Sequence, residues 1–509
     1  MTNSAALPPS SRVRGLLEAA LVAVLLSALI AAAAWWFFAN GYILYYGDAQ
    51  AHLNLSRAII DSKTPGYDQL GTVWLPLLHI ICVPLVGNDW LWSTGLAGTI
   101  PVAVCFVVAG TFFFLAAREA YLSSAAAAVV ACCFALNPNI LYLASIPMTE
   151  VVFLAALSLL LFAAVRFRNT QNGAWIALGI AGSWLMSLTR YDGWFLIPFA
   201  ALWFALNSRR RRLSILILFG ALASLAPFYW AAHNWWETSN PLDFYNGPYS
   251  AVAIQGSRTY PGYHDWKLAL KYYSLAGELC AGPALIALGA IGVLCAAAKR
   301  SLTPVLFLFL TPAFYVWSIH SSKTPIFVPQ LWNSYYNTRY GIAVVALGAF
   351  AAGAVTLVVP KRLARYWFIL PLVAILPWLA HPSRQNWICW KESQVNSVSR
   401  RAWTYAAADF LRLNYSPGQG ILASSGDVTG IFCRARIHLS ETINIGNGPL
   451  WLAASTCPQI FHPGFWAVTQ NGDRLDKAIQ ASRPPVYNVV DEIRSKDDPA
   501  LKIHCRNQP

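Results

Sequence analysis

From Leu16 to Phe38 the chain reads LLEAALVAVLLSALIAAAAWWFF, an apolar run broken by a single charge, Glu18. A helix rises about 1.5 Å per residue, so this run is long enough to cross a bilayer. It exceeds the 7–15 residues of a signal-peptide core, and no A-x-A cleavage site follows, so it reads as an uncleaved first span. Similar runs recur along the chain. At the usual length of about 20 residues there are about eleven of them. Their expected centres are Leu26, Val104, Val130, Leu157, Gly179, Pro198, Phe219, Leu288, Phe309, Leu347 and Leu372. Leu75–Val86 is also apolar, but it is short and holds Pro76, His79 and Pro84. It reads as an interfacial or re-entrant helix. Only 11% of residues are charged, against about 25% in a soluble domain, so a large soluble core is excluded.

The loops alternate in character. Short basic ones lie at Ser11–Arg14, Arg118, Arg166–Arg168, Arg209–Arg212, Lys299–Arg300 and Lys361–Arg365. With an odd number of spans, all fall on one side. Lys and Arg in short loops mark the cytoplasmic side, so the N-terminus is expected inside. The long loops, 40–89, 233–278 and 321–339, and the region after 380 are then expected outside. The net charge of +14 follows this pattern, and no basic face or motif points to nucleic acid.

The expected organisation is a transmembrane part over 1–380, with a large first outer loop at 40–89, and an extracytoplasmic C-terminal domain over 381–509. The tail has globular texture. ADFLRLNY reads as a short amphipathic helix, GILASSG and FWAVTQNGD as strands ending at turns, YNVVDEIRS as a strand or helix, and LKIHCRN as a final strand. Six cysteines lie in or beside apolar runs and read as small buried hydrophobes. Cys389, Cys433, Cys457 and Cys505 lie in the tail, where one or two disulfides are expected if that region is outside.

No P-loop or dinucleotide fingerprint is present, so no nucleotide-handling domain is expected on the cytoplasmic side. Chemistry belongs at the outer face, where an energised substrate would arrive on a lipid carrier. Asp48 closely follows the first span, and an acid so near hydrocarbon is costly and often functional. AQAHLNLSRAII has helical apolar spacing, so Asp48 is also placed to cap that helix. Glu150 stands at the outer start of the fourth span, either complementing the helix dipole or serving as a second carboxylate. Arg190 and Asp192 share the tight turn SLTRYDGW, as a local ion pair or as site residues. Arg339 begins the tenth span on the outer side, where a guanidinium suits phosphate. Lys63 is a candidate of the same kind, with snorkelling to headgroups as its other reading. Outer-loop aromatics such as Trp74 and Tyr336 suit sugar stacking or an interfacial belt. The histidines, His79 among them, lack metal-ligand spacing.

GDAQAHLNLSRAIID, QLGTVWLPLLH, PMTEVVFLAAL, TRYDGW and NTRYG follow one another over roughly residues 15–380. In that order and placement the chain resembles the GT-C glycosyltransferases, in particular bacterial relatives of protein O-mannosyltransferases and lipid A aminoarabinose transferases. The resemblance implies an all-α polytopic membrane protein of the bacterial inner membrane with a small α/β C-terminal domain. It implies transfer of a sugar from a polyprenyl-phosphate carrier to a lipid, glycan or protein acceptor. By resemblance Asp48 and Glu150 would be catalytic. Arg57, Arg339 and Lys63 would meet the carrier phosphate. Trp74, His79, Arg190, Asp192 and Tyr336 would contact sugar or acceptor. Many members have two adjacent acids at the first position, whereas Ala49 follows Asp48 here. No cofactor is required by the sequence, and dependence on a divalent metal stays open. The alternative is a transporter or flippase of lipid-linked saccharides.

Overall fold

The computed structural model describes residues 9–507 apart from 425, 459, 462–463 and 496–498. The side chains of Ser11, Arg12 and Lys361, which belong to the expected basic loops, lie outside the described residues. Each expected span centre falls in a helix. Six helices are long and apolar enough to cross a membrane: 14–39, 96–121, 149–170, 212–238, 303–321 and 338–357. Two bent pairs also pass by length and composition, each forming either one broken span or a re-entrant loop. Ser124–Ala135 and Pro138–Ala144 meet at 68°, and Trp266–Ala281 and Pro283–Ala298 at 105°. At the first break Asn137 caps the new helix, accepting from the amides of Asn139 and Ile140, with Pro138 at its start. At the second, Gly282 takes φ +77° and Pro283 cannot continue the preceding hydrogen-bond ladder.

The other three expected spans are shorter than a full crossing: Ala174–Ser187, Asp192–Asn207 and Ile369–Ala380 have 14, 16 and 12 residues. Length and composition thus identify six to eight spans among the described residues, fewer than the eleven expected. Leu77–Val86 forms a 10-residue helix, too short to cross.

The chain divides into two compact units. The first comprises residues 1–39, 72–77 and 102–392; the second comprises 40–71, 78–101 and 393–509. Most of the loop after the first span therefore groups with the tail. Within this second unit the helix Gly47–Ala58 packs on the helix Thr429–Ala435. Gln50 donates to the Gly430 carbonyl at 3.3 Å and Asn54 to Thr429 Oγ1 at 2.9 Å. A Cβ on Gly430 would lie 2.5 Å from Gln50 Oε1, so any larger residue there would displace the Gln50 amide. Arg400 closes the same face, donating to Gln50 Oε1 and, at 2.6 Å, to the Tyr45 carbonyl.

The tail folds as expected into a small α/β domain. Its sheet has strands β1 (Ile421–Ala423), β2 (Thr442–Ile443), β3 (Trp466–Gln470), β4 (Tyr487–Ile493) and β5 (Leu501–Arg506), in the order β2-β1-β3-β5-β4. β1 runs parallel to β2 and β3, while β5 runs antiparallel to β3 and β4. Leu422, Ile443, Ala467, Leu475 and Ile479 form its core. The expected short helix at ADFLRLNY is the end of a 27-residue helix, Ile388–Asn414. Among the described residues none of the ten cysteines forms a disulfide, so those expected in the tail are not formed.

Candidate functional site

Each unit carries its own cluster of chemically equipped side chains. In the first unit the cluster stands where the helices 149–170, 192–207 and 338–357 begin and the helix 303–321 ends. Glu150 and Asp192 occupy the first turns of their helices, where the partial positive charge of the amide ends favours carboxylates. The adjoining turns supply two arginines. Glu150 Oε1 accepts from Arg190 Nη1 and from Arg339 Nε, each at 3.1 Å. Arg339 Nη1 donates to Glu392 Oε1 at 3.0 Å. The other oxygen of Glu392 accepts from the Thr338 amide at 2.7 Å and from its hydroxyl. Arg190 Nε lies 3.4 Å from Asp192 Oδ1, and Tyr315 donates to Asp192 Oδ2 at 2.9 Å. The Tyr340 ring lies against both guanidinium groups, 4.9 Å from Arg190 and 5.3 Å from Arg339.

The three carboxylates are almost completely buried. Charges this deep persist only when paired and hydrogen-bonded, and the network supplies both. Arg190 and Arg339 are therefore fixed in place. Glu150 Oε2 is buried without a hydrogen-bond partner. Glu150, Arg190, Asp192 and Arg339, each singled out separately in the sequence, prove to be one network. Glu392, Tyr315 and Tyr340 were not singled out. Tyr315 sits in the last two turns of an apolar span and Glu392 in a polar helix; the phenol in FLTPAFYVWS and an acid beside the aromatic pair Trp387 and Trp390 were the available signals.

Trp74 is half-buried in a segment held by this unit. Tyr191 donates to the Val73 carbonyl at 2.6 Å, and the Leu77 amide donates to the Leu188 carbonyl at 2.9 Å. Tyr336 is 40% exposed and pairs through its backbone with Phe327.

In the second unit Asp48 lies half-buried in the first turn of the helix 47–58, whose cap position is Tyr46. The carboxyl thus complements the helix dipole from inside the helix and is not the cap. Arg57, at the other end of the helix, is 3% exposed. Its Nε donates to Asp61 at 2.7 Å, its Nη1 to the Val86 carbonyl at 2.6 Å, and its Nη2 pairs with Asp89 at 2.8 Å. Trp92 covers the guanidinium at 4.8 Å. Asp61 also accepts from the Leu439 and Ser440 amides. Burial works against ionising Asp61, but the hydrogen bonds from Ser440 and Arg57 outweigh it and hold the carboxyl below its ordinary range. His79 is fully buried, with Nε2 2.9 Å from His52 Nδ1. Lys63 is exposed in the bend after the helix. Among the described residues no group of three or more His, Cys, Asp and Glu side chains could hold a metal ion.

No protein-family model and no curated protein matches the sequence. Among solved structures, the chain is similar to ArnT from Cupriavidus metallidurans bound to undecaprenyl phosphate, with a TM-score of 0.57 and 14% identity over 94% of this chain and 97% of that one. It is similar to the apo state of the same enzyme with a TM-score of 0.52 and 14% identity, over 90% and 93% of the two chains. The chain thus has the GT-C fold and is a multi-pass integral membrane protein.

Proposed function

We propose that the protein is a membrane glycosyltransferase that moves a sugar from a polyprenyl-phosphate carrier to an acceptor on the extracytoplasmic side. The observation that carries this reading is the likeness, over nearly the full length of both chains, to an enzyme whose structure was solved with undecaprenyl phosphate. The basic short loops support a cytoplasmic N-terminus, with the first loop and the tail on the outer side.

The burial pattern supports a division of roles among the expected residues. Asp48 is half-buried, whereas Glu150 and Asp192 are almost completely buried in the arginine network, so Asp48 is proposed as the group that orients and deprotonates the acceptor. Glu150 is proposed as a positioning residue, because one of its oxygens already holds both Arg190 and Arg339. Of the three cations expected at the carrier phosphate, Arg57 and Arg339 are buried on carboxylates, whereas Lys63 is exposed. Lys63 is therefore proposed as the residue that meets the phosphate. In the reaction the bond from the anomeric carbon to the phosphate oxygen breaks. The acceptor oxygen or nitrogen bonds to that carbon, its proton passes to Asp48, and the carrier phosphate leaves. A single displacement of this kind inverts the anomeric centre. Trp74, Tyr336 and His79 are proposed to act on the sugar or acceptor, His79 indirectly through His52.

The test is release of radiolabelled sugar from synthetic polyprenyl-phosphate sugars by the full chain in liposomes, against Asp48→Asn. Release by the parent and loss of at least about a hundredfold in the variant, the usual scale for a general base, is expected. Transport of the intact lipid-linked sugar across the bilayer, with no release from a broad donor panel, would overturn the reading.

A further inference from the structure

The first unit carries a second feature at its opposite end. From Glu150 to Arg166 the helix 149–170 runs 16 residues, roughly 24 Å. Arg166 there pairs with Glu119 at 2.7 Å, at the end of the helix 96–121. Beside it Arg118 donates to Glu18 Oε2 at 2.9 Å, and Arg14 pairs with Glu18 Oε1 at 3.0 Å. Ser124 completes the cluster, donating to Glu18 at 2.9 Å. Two guanidinium groups thus share one carboxylate, which leaves an excess positive charge. The side chain of Arg14 is 77% exposed. The Arg118 guanidinium rests against Gly15, where a Cβ would lie 2.6 Å from its Nη1 and displace it.

An apolar groove of about 550 Å³ begins at Glu18 and follows the first span. One wall is Leu21, Leu25 and Leu29, four residues apart and therefore on one helix face. The facing helix, Ser124–Ala135, presents small side chains at Ala125, Ala128 and Cys132, and their lack of bulk leaves the space. From Glu18 to Leu29 the groove is roughly 17 Å long, the reach of one extended acyl chain rather than of a folded headgroup.

We propose that this groove holds one acyl chain of an anionic glycerophospholipid, whose phosphate sits at the Arg14–Glu18–Arg118 cluster. The chemistry at each end carries the assignment. The groove walls offer almost nothing to a polar ligand, and the mouth carries excess positive charge. Its distance from Glu150 separates it from the arginine network at the other end of the unit. A lipid seated here would pin the first span, most of whose apolar stretch is not buried in the protein, to the helix 124–135.

Native mass spectrometry of the full chain tests the proposal, with phosphatidylglycerol and phosphatidylcholine of identical chains as probes. One phosphatidylglycerol retained with about fivefold preference is expected, the scale of one basic residue near an anionic headgroup. Arg14→Gln, a surface change that leaves the fold alone, should bring the two lipids to parity. Ala128→Trp, which fills the groove, should abolish retention in protein that still elutes as a folded monodisperse species. Equal retention of both lipids by the parent overturns the proposal. So does unchanged retention in folded Ala128→Trp, or displacement of phosphatidylglycerol by undecaprenyl phosphate.

Discussion

Glu150 and Arg339, 189 residues apart in the chain, meet at 3.1 Å in a buried network at one end of the transmembrane unit. The same oxygen of Glu150 holds Arg190, so one carboxylate ties the turn before the helix 192–207 to the start of the helix 338–357. Removing one member of a buried pair while leaving the other charged costs about 3–5 kcal/mol. Glu150→Gln should therefore lower the midpoint of thermal unfolding sharply, and Arg339→Gln likewise. The double variant should lose less than the sum of the two. Full additivity across that cycle would show that the contact contributes nothing.

The exposed position of Lys63 makes a kinetic prediction. A cation that meets the donor phosphate only when donor binds can be removed without loss of stability. Lys63→Ala should raise the KM for the polyprenyl-phosphate donor by about tenfold, equivalent to about 1.4 kcal/mol, at unchanged unfolding midpoint. Lys63→Arg should recover most of it, since both carry the charge on a long stem. An unchanged donor KM in Lys63→Ala would remove this residue from the site.

Arg57 should behave in the opposite way. It bridges Asp61 and Asp89 while Asp61 holds the amides of Leu439 and Ser440, so the arginine secures the loop helix to the tail within the second unit. Arg57→Ala leaves Asp61 without its guanidinium and should destabilise this unit by about 3 kcal/mol. Lysine should rescue poorly, because a point charge cannot serve Nε and Nη2 positions together. Faster amide hydrogen exchange at residues 47–61 and 438–440 is the expected signature. A raised donor KM with exchange unchanged would instead make Arg57 a substrate contact.

What was legible in the sequence follows from how local each signal is. Hydropathy is summed over neighbours, so every expected span centre lies in a helix. Crossing length is also set by breaks, and the caps at Asn137 and Gly282–Pro283 divide runs that composition joins. Strands β1, β3 and β5 could be placed because turn residues bound them. Pairing across the chain is not local. Glu150 could be noticed alone, but its bond to Arg339 depends on how distant spans pack. The union of the first loop with the tail rests on contacts such as Gln50 to Gly430, 380 residues apart, for which no short motif exists. Tyr315 was hidden because a tyrosine near a span end has an ordinary interfacial reading.

The tail should lose stability in mild acid. His504 on β5 is 2% exposed, with Nε2 2.9 Å from Thr469 Oγ1 on β3. Burial pushes its pKa down to about 4, against the partial opposition of Asp476. An unfolded histidine takes up its proton near 6.5. Between these values the unfolded state holds the extra proton, so stability rises with pH across the window and falls as pH drops from about 6.5 to about 4. The full loss is about 3 kcal/mol. Asp476 acts in the same direction at lower pH. Burial disfavours its charge, but the Gly472 amide and Lys502 hold its carboxyl below the ordinary range, so its contribution disappears as it protonates. Hydrogen exchange at the β3 and β5 amides, corrected for intrinsic rates, should show this loss between pH 6.5 and 4.5. In His504→Gln the same window should be nearly flat. A parent as well protected at pH 4.5 as at pH 7 would mean that His504 is not held neutral by burial.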